Sequence, residues 1–83
     1  LDVRGADEYR SERIAGAHHI PMGYVPVYAC DLPKDRPLIV QCGGGVRSMV
    51  VASLLQRAGF DRVMNLSGGI DGWKRARLPI ETG

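Results

Sequence analysis

No stretch of this sequence approaches the roughly 18 consecutive apolar residues of a membrane-spanning helix, and no charged-then-apolar leader opens it. The chain reads as soluble, with no membrane partner. Cysteine is scarce. Cys30 and Cys42 could form at most one bridge, far below the density of secreted disulfide scaffolds, so a reducing, cytoplasmic compartment is expected. Their spacing rules out a Cys-x-x-Cys redox pair, and with His18 and His19 as the only histidines there is no recognisable zinc ligand set. A cysteine that acts here acts alone, with no metal and no cofactor. Aromatic residues make up 6% of the chain, and the basic residues are scattered apart from Lys74-Arg75-Ala76-Arg77. With a net charge of +2, no nucleic-acid surface is expected.

What is present suffices for one core. With 83 residues, 45% of them apolar, the chain is expected to form a single domain over residues 1–83. A globule of this size buries only about 60% of the surface its unfolded chain exposes, so its stability should be modest.

The local patterns alternate. Leu1-Asp2-Val3 reads as the tail of a buried strand, and Ala6 to Ser11 as a short helix with Asp7 and Glu8 in its first turn, where the dipole favours anions. His19-Ile20 reads as extended. Pro21 to Pro37 has no clean period and reads as loop with one helical turn. Leu38-Ile39-Val40-Gln41 is an apolar, β-branched run of strand length between Pro37 and three glycines. From Val46 the period changes to that of a helix: Val46, Val50, Leu54 and Ala58, joined by Val51 and Leu55, form the expected apolar face, and Gly59 supplies the stop. Arg62 to Leu66 is a second strand, Ser67-Gly68-Gly69 a turn, and Ile70 to Arg75 a short helix. Strands and helices alternating at this spacing predict an α/β domain, a small parallel sheet flanked by helices.

The chemistry concentrates where the strong strand meets the strong helix, at Cys42-Gly43-Gly44-Gly45-Val46-Arg47-Ser48. Ligands of open parallel sheets bind beyond the carboxyl ends of the strands, and the first amides of a helix are unpaired donors backed by its dipole. Successive glycines let the backbone curl so that N–H groups converge into a nest for an anion. The anion at hand is the sulfur of Cys42. A thiol at such a position is lowered from about 8.5 to roughly 3.5–7.5, which makes Cys42 a nucleophile without a base. Arg47, in the first helical turn, is suited to orient an anionic substrate by a fork-like contact.

Taken together, four segments resemble the rhodanese family. Leu1-Asp2-Val3-Arg4 with Glu8-Tyr9 is similar to its opening strand and helix, and Ile14 to Pro21 to its segment ending Gly-Ala-x-x-Ile-Pro. Cys42 to Ser48 is similar to its active-site loop, and Gly68-Gly69-Ile70-Asp71-Gly72-Trp73 with Leu78-Pro79 to its closing signature. The resemblance implies a rhodanese-like fold and a sulfurtransferase. Cys42 would take the outer sulfur of a donor such as thiosulfate, a polysulfide or a small-molecule persulfide, and pass it as a persulfide to a thiol or to cyanide. Gly43, Gly44, Gly45, Val46, Arg47 and Ser48 would hold that sulfur and its substrate. The family's usual strand and helix ahead of the Asp-Val-Arg segment are absent, so a trimmed domain or a module of a larger protein is expected, with a fused or partner protein as a potential receiver of sulfur.

Departures and rivals narrow this reading. Gly43 and Gly44 stand where many thiosulfate-using members carry a basic or hydroxyl side chain, which leaves the donor open, and Arg77 stands where glycine is common after the last helix. Phosphate-binding cysteine enzymes place one residue more between Cys and Arg than the four enclosed by Cys42 and Arg47. The shorter loop suits a single sulfur atom. A non-catalytic or sulfur-carrier module is the other alternative. Elsewhere, Cys30 reads as a packing or surface residue, Trp73 as a core anchor, and Asp2 with Arg4 as a same-side structural pair. Of His18 and His19, one is expected to pack and the other to face water.

Overall fold

Four extended segments run side by side in one direction, and this arrangement sets the position of everything that follows. The computed structural model describes residues 1–83. In chain order the elements are α1 (Ala6–Ser11), β1 (Glu12–Ile14), α2 (Val25–Tyr28), β2 (Leu38–Val40), α3 (Val46–Arg57), β3 (Val63–Asn65), α4 (Gly69–Arg75) and β4 (Ile80–Thr82), with single 3₁₀ turns at Met22–Tyr24 and Ala29–Asp31. Strands β2 and β3 pair in parallel, Ile39 opposite Met64 and Val40 opposite Asn65. Asp2 extends the layer through parallel bridges to Gln41 on one side and His19 on the other. The expected strand tail at Leu1–Val3 and the extended His19-Ile20 are therefore lanes of one layer, held by Val3 N–H to Gln41 O and Ile20 N–H to Asp2 O, both 3.0 Å.

Helix α3 forms where the four-residue period predicts it, and the chain leaves it at Gly59, whose φ of 101° only glycine adopts without strain. Its buried face differs from the expected one. Val51, Ala52, Leu55 and Ser48 point inward, whereas Val46 is 76% exposed, and Val50 and Leu54 also face solvent. Apolar side chains line both flanks of this helix, and the polar Ser48 hides the true stripe. It joins Val3, Ile20, Val25, Val40, Cys42 and Phe60 around the core.

Pro21 to Pro37 is more helical than a loop with one turn: two 3₁₀ turns and α2 run unbroken from Met22 to Asp31. Pro26 sits in the first turn of α2, where its missing N–H is an unpaired donor position in any case, so the proline starts the turn instead of breaking it. Val25 and Leu32 anchor the segment in the core. The antiparallel pair of β1 and β4, Arg13 opposite Glu81, has no counterpart in the sequence patterns, since three residues per strand are too few to show a period. Trp73 is only half-buried, and its indole N–H donates to Pro79 O at 2.7 Å, so it clamps the turn after α4 instead of filling the core.

Candidate functional site

The chain leaves β2 at the carboxyl edge of the layer and must reverse through Cys42–Gly45 to enter α3. Gly45 makes that reversal possible: as the cap of α3 it has φ 110°, a left-handed conformation closed to other residues. Gly43 and Gly44 keep negative φ values. Gly44 faces open space, and a side chain at Gly43 would crowd the Arg47 guanidinium.

A second helix grips the loop from the other side. The first amides of α4 donate to the loop carbonyls, Ile70 N–H to Cys42 O at 2.8 Å and Asp71 N–H to Gly43 O at 3.1 Å. These bonds fix the Cys42 and Gly43 carbonyls toward α4, away from the start of α3. Gly69 permits the close approach, because a Cβ there would run into the carbonyl oxygens of Cys42 and Gly43. Sequence reasoning placed Gly69 in a turn and gave it no part in the site.

Cys42 is 1% exposed, and its sulfur accepts the Gly45 N–H at 3.1 Å with Ser48 Oγ 3.4 Å away. Burial pushes the thiol up. The Ser48 hydroxyl and the amides of Ser48, Gly45 and Arg47 act the other way and prevail, so the thiol lies below its usual range. The amides that meet the sulfur therefore come from Gly45 and the first turn of α3. Gly43 and Gly44, the next residues of the loop, line an open mouth with Arg4, Glu8, Glu12, Arg47 and Asp71, while the Val46 side chain points to water.

Arg47 does not stand free in that mouth. Its Nη1 and Nη2 donate to the two carboxylate oxygens of Glu8 at 2.7 and 2.9 Å. The guanidinium holds the Glu8 carboxyl down to about 2, and Glu8 in turn raises Arg47. Glu8 was legible as a helix-dipole anion and as part of a family-like segment, but not as the partner of a residue 39 positions away. Beneath the mouth, Asp2 and Arg4 form a fully buried fork, Arg4 Nη2 to Asp2 Oδ2 at 2.8 Å, and Arg4 also donates to Glu12 O at 2.7 Å. Burial raises the Asp2 carboxyl, the Arg4 bonds lower it, and the net is downward.

Two polar residues complete the surroundings of the sulfur. Ser48 is fully buried and its hydroxyl donates to Asn65 Oδ1, while Asn65 Nδ2 donates to Gly45 O at 3.3 Å. Asn65 ends β3, directly across from Val40, and no sequence signal pointed to it. Cys30 and the histidines lie apart from these contacts. Cys30 is an exposed free thiol, His18 is exposed, and His19 stacks on Tyr9 with centroids 4.2 Å apart. No group of three His, Cys, Asp or Glu side chains comes together to hold a metal ion, and no helix is long and apolar enough to cross a membrane.

Comparison with known proteins supplies a context for this geometry. The rhodanese-like domain model matches residues 1–76. A sulfurtransferase of Allochromatium vinosum is 38% identical over 80 residues, covering 96% of this chain and 75% of that protein. The thiosulfate sulfurtransferase GlpE of Actinobacillus succinogenes is 38% identical over 82 residues, covering 99% of this chain and 74% of that protein. Among solved structures, a rhodanese-related protein from Thermoplasma volcanium superposes with a TM-score of 0.92 at 28% identity, covering 98% of this chain and 80% of that one. The rhodanese-like domain of the Alr3790 protein from Anabaena sp. does so with a TM-score of 0.88 at 33% identity, covering 96% and 93%.

Proposed function

The chain belongs to the rhodanese-like domain family, and from that premise we propose that Cys42 is the residue on which the transferred sulfur travels. Its activity is that of a sulfurtransferase. The observation that carries the residue assignment is the Cys42 sulfur resting on the Gly45 amide at the start of α3, with its thiol lowered in spite of burial.

The reaction runs in two displacements. The Cys42 thiolate attacks the outer sulfur of the donor, the donor's S–S bond breaks, and the remainder leaves with the electron pair, as sulfite where the donor is thiosulfate. Cys42 now holds a persulfide whose anionic terminal sulfur is stabilised by the amides around the loop and by the dipole of α3. An acceptor thiolate or cyanide then attacks that terminal sulfur and Cys42 returns as thiolate. Each step transfers a neutral sulfur atom, so no outside oxidant or reductant is consumed.

Thiosulfate, polysulfides and small-molecule persulfides are the proposed donors. The cations at the mouth, Arg4 and Arg47, each hold a carboxylate of the same chain, and Asp71 adds a further negative charge. That balance supports donors with a small or diffuse charge alongside thiosulfate. Two free thiols, Cys30 and Cys42, support a reducing, cytoplasmic setting, with a small thiol or a partner protein's thiol as acceptor.

A donor screen with thiosulfate, mercaptopyruvate and glutathione persulfide, reading thiocyanate formed from cyanide, tests this reading. Turnover with at least one donor, lost in Cys42→Ser, is expected. No turnover with any donor would favour a carrier module.

A further inference from the structure

The hydroxyl of Ser48 has two partners and one proton. Its oxygen lies 3.4 Å from Cys42 Sγ and within hydrogen-bond reach of Asn65 Oδ1. Asn65 has no freedom to choose its orientation: its other end faces the Gly45 carbonyl, which can only accept, so Nδ2 must point there and Oδ1 must point at Ser48. Oδ1 is an acceptor only, and the Ser48 proton is therefore committed to Asn65. In that arrangement Ser48 offers Cys42 a lone pair, which suits a protonated thiol and leaves a thiolate without the hydroxyl.

We propose that the Ser48 hydroxyl is a two-position switch between Cys42 and Asn65, and that Asn65 is a positioning residue that restrains ionisation of the nucleophile. The proposal rests on Cys42 being the sulfur-carrying residue. With Cys42 protonated, donors run in one direction: S–H to Ser48, Ser48 O–H to Asn65, Asn65 N–H to Gly45 O. When Cys42 ionises, its sulfur becomes an acceptor and the hydroxyl must rotate toward it, leaving Oδ1 facing an oxygen with no proton between them. Asn65 and the thiolate thus compete for one proton. Once Cys42 carries the transferred sulfur, Sγ is bonded and uncharged and the hydroxyl returns to Asn65. The switch follows the reaction cycle and keeps the emptied sulfur site from being as strong an anion as its amides and an unshared Ser48 hydroxyl would make it.

The charged groups around the loop do not share this switch. Arg47 on α3, Glu8 on α1, Asp71 on α4 and the Asp2–Arg4 pair line or underlie the mouth, and none of them bonds to Ser48 or Asn65. Their influence on Cys42 is common to every variant below.

The pH midpoint of Cys42 alkylation by iodoacetamide, measured in a Cys30→Ser background, is the test. Asn65→Ala frees the hydroxyl and is expected to lower the midpoint by up to about one pH unit, the scale of one hydrogen bond to a charged group. Ser48→Ala is expected to raise it, and the double variant should match Ser48→Ala. A role limited to pinning Gly45 moves Asn65→Ala the other way, because a looser loop weakens the Gly45 amide. A midpoint that rises or stays put in Asn65→Ala, or an Asn65→Ala shift that survives when Ser48 is already Ala, overturns the proposal. If Asn65→Ala loses its cooperative thermal transition, Asn65→Val, which keeps a strand-favouring residue, carries the same expectation. These midpoints need no turnover, so this result stands or falls separately from the donor screen.

Discussion

Arg47 on α3 and Glu8 on α1 meet through two parallel bonds, Nη1 to Oε1 at 2.7 Å and Nη2 to Oε2 at 2.9 Å, across 39 residues of chain. The pair is half-exposed, so it contributes at most about 1 kcal/mol to stability. Its larger consequence is to fix the guanidinium at the rim of the mouth, with N–H groups that Glu8 does not use and that would suit an anionic donor.

Arg47→Ala is therefore expected to lower kcat/KM for thiosulfate by roughly 10- to 100-fold, the worth of a charged hydrogen bond. Alkylation of Cys42 by neutral iodoacetamide should change far less. The double variant Glu8→Gln/Arg47→Ala should be no worse than Arg47→Ala, since Glu8 acts through the guanidinium. Equal losses of donor use and alkylation in Arg47→Ala would contradict this role.

The acid limb of turnover should belong to Cys42. Its thiol is lowered but still titrates, so activity rises with pH as the thiolate forms, and the midpoint of that rise should coincide with the alkylation midpoint. Glu8, held at about 2, stays ionised over that whole range and cannot set the limb. A donor should add one sulfur atom to Cys42, removable by cyanide. Cys30→Ser should retain both the adduct and turnover; an adduct mapped to Cys30 would refute the assignment.

Gly69→Ala is expected to damage the site more than any change to Gly44. The new Cβ meets backbone carbonyls of Cys42 and Gly43, which cannot move without breaking the bonds from Ile70 and Asp71. Loss of at least about 2 kcal/mol of stability by denaturant titration, on the scale of core overpacking and backbone strain, should accompany loss of turnover. Gly44→Ala, in open space, should leave both within about twofold and about 0.5 kcal/mol of the parent.

Arg77 is the one residue other than glycine with positive φ, at 59°. The left-handed conformation costs a side-chain-bearing residue about 1 kcal/mol, so Arg77→Gly should raise stability by up to that amount, visible as a higher thermal midpoint. An unchanged or lower midpoint would show that the Arg77 side chain compensates for its backbone.

Breaking the buried fork should be the most severe of these changes. Asp2→Asn leaves the Arg4 charge buried without its partner, a loss of about 3–5 kcal/mol, comparable to the whole stability of a domain this small. The folded Asp2 carboxyl is lowered, so the pair's stabilisation is complete above the unfolded carboxyl value near 3.8 and is lost as pH falls through the folded value. The parent should therefore lose stability steeply only in strong acid. A folded, equally stable Asp2→Asn protein would exclude this account.

Local patterns were enough to read β2, β3, α1, α3, α4 and the position of Cys42 between a strand and a helix, because each depends on contacts within a few residues: a β-branched run, a four-residue period, a glycine that alone tolerates its φ. The Cys42–Ser48 loop was legible for the same reason. What no local pattern contains is which side chains from distant segments converge on it. The Glu8 partner of Arg47, the Asn65 partner of Ser48 and the close approach of Gly69 arise only when parallel lanes bring the ends of β2 and β3 to one edge and α1 and α4 fold over it. The inward face of α3 was decided in the same way: apolar residues flank both sides of that helix, and packing against Val40 and Phe60, not periodicity, selected Val51 and Leu55 for the core. Sequence by itself determined the position of Cys42 and the elements that frame it. Tertiary structure decided how its charge is balanced, because electrostatic partners are chosen by distance in space and not by distance along the chain.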